Sequence, residues 1–208
     1  MGDRVKAILA GLDLWAEWPT ETQRRIVGAA LESFAERGFH GTSLKHIAQG
    51  SGLSTAALYV HFASKEELLF ALSRRGHGLA RDLVGQAAVG EPAEAVDVLV
   101  RAFTRWHAEH RTIARVVQYE QGALTPEHRA QVRDLRRETE RVVRELIERG
   151  VAAGVLTVSD ARGAAAAVLS LGIDVARWYT PGGRWTPDDL ADLYAGLAAR
   201  MLGATTCS

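Results

Sequence analysis

The chain has 208 residues, 47% of them hydrophobic and 24% charged, an ordinary globular composition for one domain or two small ones. Its formal net charge is zero, which argues against an indiscriminately basic nucleic-acid binder. The single cysteine, Cys207, excludes an intrachain disulfide and a cysteine-cluster metal site, and reads as an incidental thiol in a reducing compartment.

In the N-terminal run VKAILAGLDLWAEW, Val5, Ile8, Leu9, Leu12 and Trp15 fall at helical spacing. This predicts an amphipathic helix in an extension, residues 1–18, that packs on the body of its own chain. Asp13 and Glu17 interrupt the run, no A-x-A cleavage pattern follows, and it is too short to span a bilayer. A cytoplasmic protein without a membrane partner is the expectation.

After Pro19, Thr20 and Gln23 form a capping box that opens a helix with Ile26, Val27, Ala30, Leu31 and Phe34 on its apolar stripe, ended by Gly38. Thr42 is the expected cap of a second helix carrying Leu44, Ile47 and Ala48, closed by Gly50, Ser51 and Gly52. In GLSTAALYVHFASKEELL, Ser54 caps Thr55, Ala56 and Ala57, while Ser64 and Glu67 make a second capping box. One helix is therefore expected to end near Phe62 and another to begin at Lys65. Between these caps lie barely two turns, too few to be stable alone, so neighbours must hold the segment. A first helix followed by two short ones across a glycine-containing turn is a helix-turn-helix, which presents its last helix to the DNA major groove. Residues 39–65 contain no Asp or Glu but include His40, Lys45, His46, His61 and Lys65, so a polyanion meets no repulsion there. Leu44, Ile47, Leu53, Leu58 and Phe62 are assigned to a miniature core.

Beyond Lys65 the pattern stays helical, with breaks at residues 90–92, 122–126, 150–159 and 181–187. Thr125-Pro126 and Thr186-Pro187 fit an N-cap Thr with Pro at the first helical position. About nine helices plus the N-terminal one are expected; residues 155–158 are the one candidate strand, and a weak one. The fold class is all-α. Arginines in PEHRAQVRDLRRETERVVRELIERG alternate with acids at helical spacing and read as a solvated face with i,i+4 pairs. Several motifs mislead. Gly52-Leu53-Ser54-Thr55-Ala56 lacks the last glycine of a nucleophile elbow and a preceding strand. His107 and His110 lack an H-E-x-x-H frame, and Gly76 and Gly78 follow no strand, so neither a metal site nor a phosphate loop is implied. With no acid–base or nucleophile constellation, an enzyme is not expected, and no cofactor is implied.

The run AALESFAERGFHGTSLKHIAQGSGLSTAALYVHFASKEELL carries A-x-x-x-F-x-x-x-G-F at Ala30, Phe34, Gly38 and Phe39, then I-A-x-x-x-G at Ile47, Ala48 and Gly52. L-Y-x-H-F-x-x-K-E-x-L follows at Leu58, Tyr59, His61, Phe62, Lys65, Glu66 and Leu68. In this order and spacing the run resembles the TetR family of bacterial transcriptional regulators. The resemblance implies a three-helix DNA-binding domain over residues 19–64 and a helical ligand-binding and dimerisation domain over residues 65–204. It makes Thr42, Ser43, Tyr59, His61 and Lys65 phosphate-facing or positioning residues, and Lys45, Thr55, Ala56, Ala57 and Val60 the candidates facing base edges. Hydroxyl and ammonium groups suit phosphate oxygens, while small and apolar side chains allow close approach to a thymine methyl.

The tail WYTPGGRWTPDDLADLYAGLAARML and the segment ALTPEHRAQVRDLRRE are similar to a subgroup that includes regulators of acyl-CoA and steroid catabolism. An apolar, acyl-CoA-like effector is the ligand this resemblance implies. Aromatic Phe103, Trp106, Tyr119 and Trp178 are candidates for its cavity, and His107, Arg115 and Arg177 for its anionic groups. Alanine and glycine along ARGAAAAVLSLGIDVARWY, with Leu190, Leu193, Tyr194, Leu197 and Met201 at bundle spacing, predict a homodimer joined by its last two helices on a palindromic operator. Competing readings are a constitutive architectural protein of the same fold, a drug-responsive repressor of an efflux gene, and an all-helical enzyme.

Overall fold

A computed structural model describes residues 2–204; Cys207 lies outside them. Among the described residues there are ten α-helices, one turn of 3-10 helix (Gln121–Ala123) and no strand. Residues 155–158, the candidate strand, form no strand: Leu156 is buried, and the Thr157 amide donates to the Leu202 carbonyl at 2.8 Å.

The contacts divide the chain into two compact units whose limits differ from the expected boundaries after residues 18 and 64. One holds the residues up to Leu12, Ala80–Arg111, and those from Arg136 onward; the other holds Asp13–Leu79 and Thr112–Leu135. The helix-turn-helix therefore shares its unit with the first turns of α5 (Lys65–Ala87), with α7 (Arg111–Tyr119) and with the start of α8 (Pro126–Ala152).

In the first unit, α1 (Gly2–Ala10) buries Val5 and Ile8 and packs on α6 (Pro92–Glu109), as expected of the extension. The Arg4 guanidinium fixes it by donating to the carbonyls of Ala87, at 3.2 Å, and Val89, at 2.5 Å. Leu12 and Trp15 lie beyond this helix, which stops at Ala10. Helix α9 (Ala161–Trp178) buries Ala165, Val168, Leu169, Val175 and Ala176, and α10 (Pro187–Met201) buries Leu190, Ala191, Ala195 and Ala198; both pack on α6. Leu190, named at sequence level for the dimer bundle, instead packs with Ala108, Val175 and Tyr179 in this unit's own core, and Tyr194 leans on the same cluster. Two α6 arginines hold α10 from outside: Arg101 bonds Asp97 at 2.6 Å and also Asp192, and Arg105 bonds Glu109 at 2.8 Å and Asp188 at 2.5 Å.

In the second unit, Thr20 caps α2 (Glu21–Gly41) in a complete box with Gln23, and Ile26, Val27, Ala30, Leu31 and Phe34 are all buried. At Gly38 the helix kinks through φ 66°, a conformation that only glycine adopts without strain. Thr125 and Thr186 cap α8 and α10 as their Thr-Pro pairs imply. The break between α6 and α7 at His110 (φ −108°, ψ 33°) was not foreseen, since neither Gly nor Pro marks it. Gly76 of α5 faces Val117 and Ile113 of α7 at a spacing of 3.4 to 3.7 Å for an added Cβ, an ordinary close contact.

Glycines separate close packing from mere tolerance. A Cβ on Gly172 would sit 2.5 Å from Cδ1 of the buried Phe103 ring, whereas one on Gly85 of α5 meets nothing within 4 Å. Gly172→Ala is expected to lower stability by about 1–3 kcal/mol through overpacking, outweighing its helix-propensity gain. Gly85→Ala is expected to raise it by up to about 1 kcal/mol. Urea midpoints of the two variants, moving in opposite directions, check this.

Candidate nucleic-acid interface

The cap of α3 (Leu44–Ser51) is Ser43, not Thr42: the Ser43 hydroxyl accepts from the His46 amide at 3.2 Å, and the Ser43 amide donates to His46 Nδ1 at 3.3 Å. Thr42 is instead buried, 2% exposed, with its hydroxyl 2.9 Å from the Ser33 carbonyl and 2.8 Å from that of Gly38. Its hydroxyl thus serves the backbone of α2 around the kink at Gly38.

Lys65 is placed in the same way. Its ammonium donates to the carbonyls of Phe39 and Thr42, both at 2.8 Å, and lies 4.2 Å from the centre of the Phe39 ring. Two of its three protons therefore serve the end of α2, a charge-assisted cap reinforced by a cation–π contact. From the other side Glu120 accepts from the Phe39 amide at 3.1 Å. Gly52 closes α3 in the left-handed region at φ 67°, and Arg25 donates to the Ser51 carbonyl beside it. A side chain at Gly52 would come within 2.7 Å of that guanidinium.

These contacts hold α4 (Thr55–Tyr59), which is only five residues long. Ser54 caps it by accepting from the Ala57 amide at 3.1 Å, and Leu58 and Phe62 anchor its inner side with Ile47 in the miniature core. Leu44 and Leu53 are only half buried there. Helix α4 ends three residues short of the expected stop near Phe62. At α5, Ser64 caps the Glu67 amide at 3.0 Å, while Glu67 accepts from Ala63 at 2.6 Å instead of from Ser64.

What remains outward is coherent. Tyr59 is 54% exposed and Val60 81%, large apolar groups that a domain folding for its own sake would bury. Ala56, His61, Ser43 and Lys45 are exposed beside them, and Thr55 and Ala57 are partly so. Gln49 was missed at sequence level: it is exposed one turn beyond Lys45, and the i,i+4 spacing was the available signal.

The seven effector-site candidates are divided between the two units. Phe103, Trp106 and His107 pack together on α6, with the Phe103 and Trp106 rings 4.2 and 5.0 Å from the His107 ring. On α9, Arg177 is exposed and bonds Asp174 at 2.7 Å, and Trp178 stands edge-on to Trp185 at 5.9 Å. Arg115 and Tyr119 are exposed on α7, in the other unit. His107 Nδ1 lies 2.8 Å from the Phe103 carbonyl, which can only accept, so Nδ1 carries the proton and Nε2 a bare lone pair. Burial pushes the His107 pKa down to about 4, and burial also lowers that of His110.

Comparison with known proteins gives two family matches. The family described as bacterial regulatory proteins, tetR family, matches residues 26–72, and the tetracyclin repressor-like C-terminal domain matches residues 89–202. The chain is 27% identical over 194 residues to the HTH-type transcriptional repressor KstR2 of Mycobacterium tuberculosis, covering 85% of this chain and 89% of that one. A bacterial regulatory protein in the tetR family from Rhodococcus RHA1 superposes with a TM-score of 0.85 at 38% identity, covering 89% of this chain and 99% of the other. The TetR family transcriptional regulator PfmR from Thermus thermophilus superposes with a TM-score of 0.80 at 34% identity, covering 85% and 97%.

Two expectations follow. Lys65→Ala removes a double carbonyl cap and is expected to cost about 1–3 kcal/mol of stability, weakening binding to all DNA sequences alike. Lys45→Ala is expected to leave stability unchanged but to relax the preference at one base position per half-site, at about 1–3 kcal/mol. Melting curves together with site selection from random duplexes separate the two.

The second concerns pH. Because the folded pKa of His107 lies below its unfolded value, its contribution is complete above about pH 6.5 and is lost as pH falls toward 4, by up to about 3 kcal/mol. His107→Gln keeps a donor for the Phe103 carbonyl without titrating. Its urea midpoint is expected to change less than wild type's between pH 7 and pH 5.

Proposed function

The chain belongs to the TetR family of bacterial transcriptional regulators, and from that premise we propose that it is a homodimeric repressor of an approximately palindromic operator, released by an apolar, acyl-CoA-like effector. The observation that carries the DNA-facing part is the outward display of Tyr59 and Val60 at the end of a five-residue helix, inside a window without acids. In this reading Tyr59, His61 and Ser43 meet phosphates, Lys45, Thr55, Ala56, Ala57 and Val60 meet base edges, and Thr42 and Lys65 set the geometry. Neutralised phosphates release counterions, so affinity falls steeply with salt.

The homodimer is supported by what α10 leaves uncovered. Leu193, Leu197 and Met201 are exposed at four-residue steps, on a face other than the one packed on α6. Beside them α9 exposes Gly163, Ala166 and Ser170, small residues that let two helices approach closely. Two copies related by a two-fold axis would present α4 to successive major grooves, which is why the operator should be palindromic. Among the described residues no helix is long and apolar enough to cross a membrane. As a regulator of transcription the protein would work in the cytoplasm, where its operator is. Repression is favoured over activation by the likeness to KstR2, and the effector class by the tail. The apolar part of the effector would lie against Phe103, Trp106 and His107.

Leu193→Glu is expected to shift the protein to monomers and to abolish binding to selected palindromes while leaving the circular dichroism spectrum helical. Sedimentation at micromolar concentration checks it, and an unchanged dimer would remove the assignment of this face. Selection of bound sites from random DNA should yield two inverted half-sites; a single unpaired motif would contradict the dimeric reading.

A further inference from the structure

The arginines of α8 were read from sequence as a solvated, internally paired face. The structure adds a second wall: Arg137, Glu140, Arg141 and Arg144 of α8 and Arg162 at the start of α9 line one cleft of about 270 Å³. Arg137, Arg141 and Arg144 lie at i, i+4 and i+7, one stripe of the helix, and Arg162 comes within 3.6 Å of Glu140. Four guanidinium groups thus line the cleft with one carboxylate.

The acids around it are weak competitors. Arg141 pairs with Glu145 at 2.8 Å and Arg144 with Glu148 at 3.4 Å, i,i+4 pairs on a solvated surface that each contribute under about 1 kcal/mol. At that distance Arg144 Nε, itself buried, makes no hydrogen bond, so its pairing with Glu148 is loose. Guanidinium groups bind phosphate by two parallel hydrogen bonds, stronger than a solvent-exposed pair with a carboxylate. The volume falls below the roughly 300–1,000 Å³ of a site that encloses a whole drug-sized ligand, so it suits an anionic end group.

We propose that the cleft between α8 and α9 is a phosphate-binding site that takes the nucleotide end of a coenzyme A thioester, an assignment that rests on the effector reading above. The phosphates displace Glu140 from Arg162 and engage Arg141, Arg144 and Arg137 from the opposite side. Arg177, the sequence's choice for an anion partner, is bonded to Asp174 instead.

The test is calorimetric titration of the full chain with free coenzyme A, adenosine 3′,5′-bisphosphate and pyrophosphate at low and high salt, for wild type, Arg141→Gln/Arg162→Gln and the control Arg200→Gln. Wild type and the control are expected to bind the first two ligands more weakly as salt rises. The double variant should bind at least about tenfold more weakly, the loss of one bidentate contact, while its operator affinity without ligand stays unchanged. Equal binding by the double variant, no binding by wild type, or preference for pyrophosphate over both nucleotides would overturn the assignment. Operator release by acyl-CoA thioesters separates the two readings. Equal release from wild type and double variant would discard the cleft and keep the effector class. Coenzyme A binding that needs the arginines, with no thioester releasing operator, would keep the phosphate site and discard the effector.

Discussion

Five residues of helix return too few hydrogen bonds to offset the cost of nucleation, so α4 exists only as far as its surroundings hold it. That constraint explains why the polar groups around it point inward to backbone. Thr42, Lys65, Ser43, Ser54 and Arg25 each bind a main-chain group of this small domain. Removing these groups would leave α4 without a fixed position even with Tyr59 and Val60 intact. The outward surface of this small domain is therefore rich in apolar and small side chains, because the hydroxyls of Thr42 and Ser54 and one of the two lysines are already committed.

The kink at Gly38 is the centre of this arrangement. At that turn, carbonyls and an amide near the end of α2 are satisfied by side chains from three places in sequence. Thr42 comes from the turn itself and Lys65 from the start of α5, while Glu120, just after α7, takes the Phe39 amide. One residue beyond Lys65, Glu66 accepts from the Thr125 amide at 2.8 Å and faces His128 Nδ1 at 2.9 Å, whose ring stacks on Phe70 at 3.7 Å. The first turns of α5 and α8 are thus bound to each other within the unit that carries the DNA-facing helices. This explains why those turns belong to the same compact unit as the helix-turn-helix.

Local chemistry was legible in the sequence wherever one residue type has one local use. Thr20 with Gln23, Ser54, Thr125 with Pro126 and Thr186 with Pro187 all cap as read, because a cap needs only the three residues after it. Thr42 and Ser43 were harder: adjacent hydroxyls compete for one cap, and which wins depends on where Gly38 has sent the chain. The helix end at His110 carries no breaker residue. Leu190 and Leu193 share a helix and a residue type, yet one fills the core and the other faces outward, since periodicity gives a face but not the neighbour it meets. The effector candidates differ in the same way: Phe103 and His107 repeat on one face of α6, whereas Arg177 and Tyr119 were grouped with them by chemistry alone.

Magnitudes decide how an effector could act. Driving a two-state regulator from almost wholly DNA-competent to almost wholly released requires a differential affinity of about 10⁴, or about 5.5 kcal/mol. A charge-assisted hydrogen bond on a protein contributes about 1.5–3 kcal/mol, and part of that is offset where Glu140, Glu145 and Glu148 must first be displaced. Phosphate contacts at the α8 arginines made equally in both states would give affinity and selectivity for a charged ligand without switching the protein. Burying an acyl chain adds about 0.8 kcal/mol per methylene, so carbons placed differently in the two states contribute to the difference required. The two ends of such a ligand have separable tasks. On the proposed reading the arginines on α8 would recognise the nucleotide, and the apolar end would drive the change.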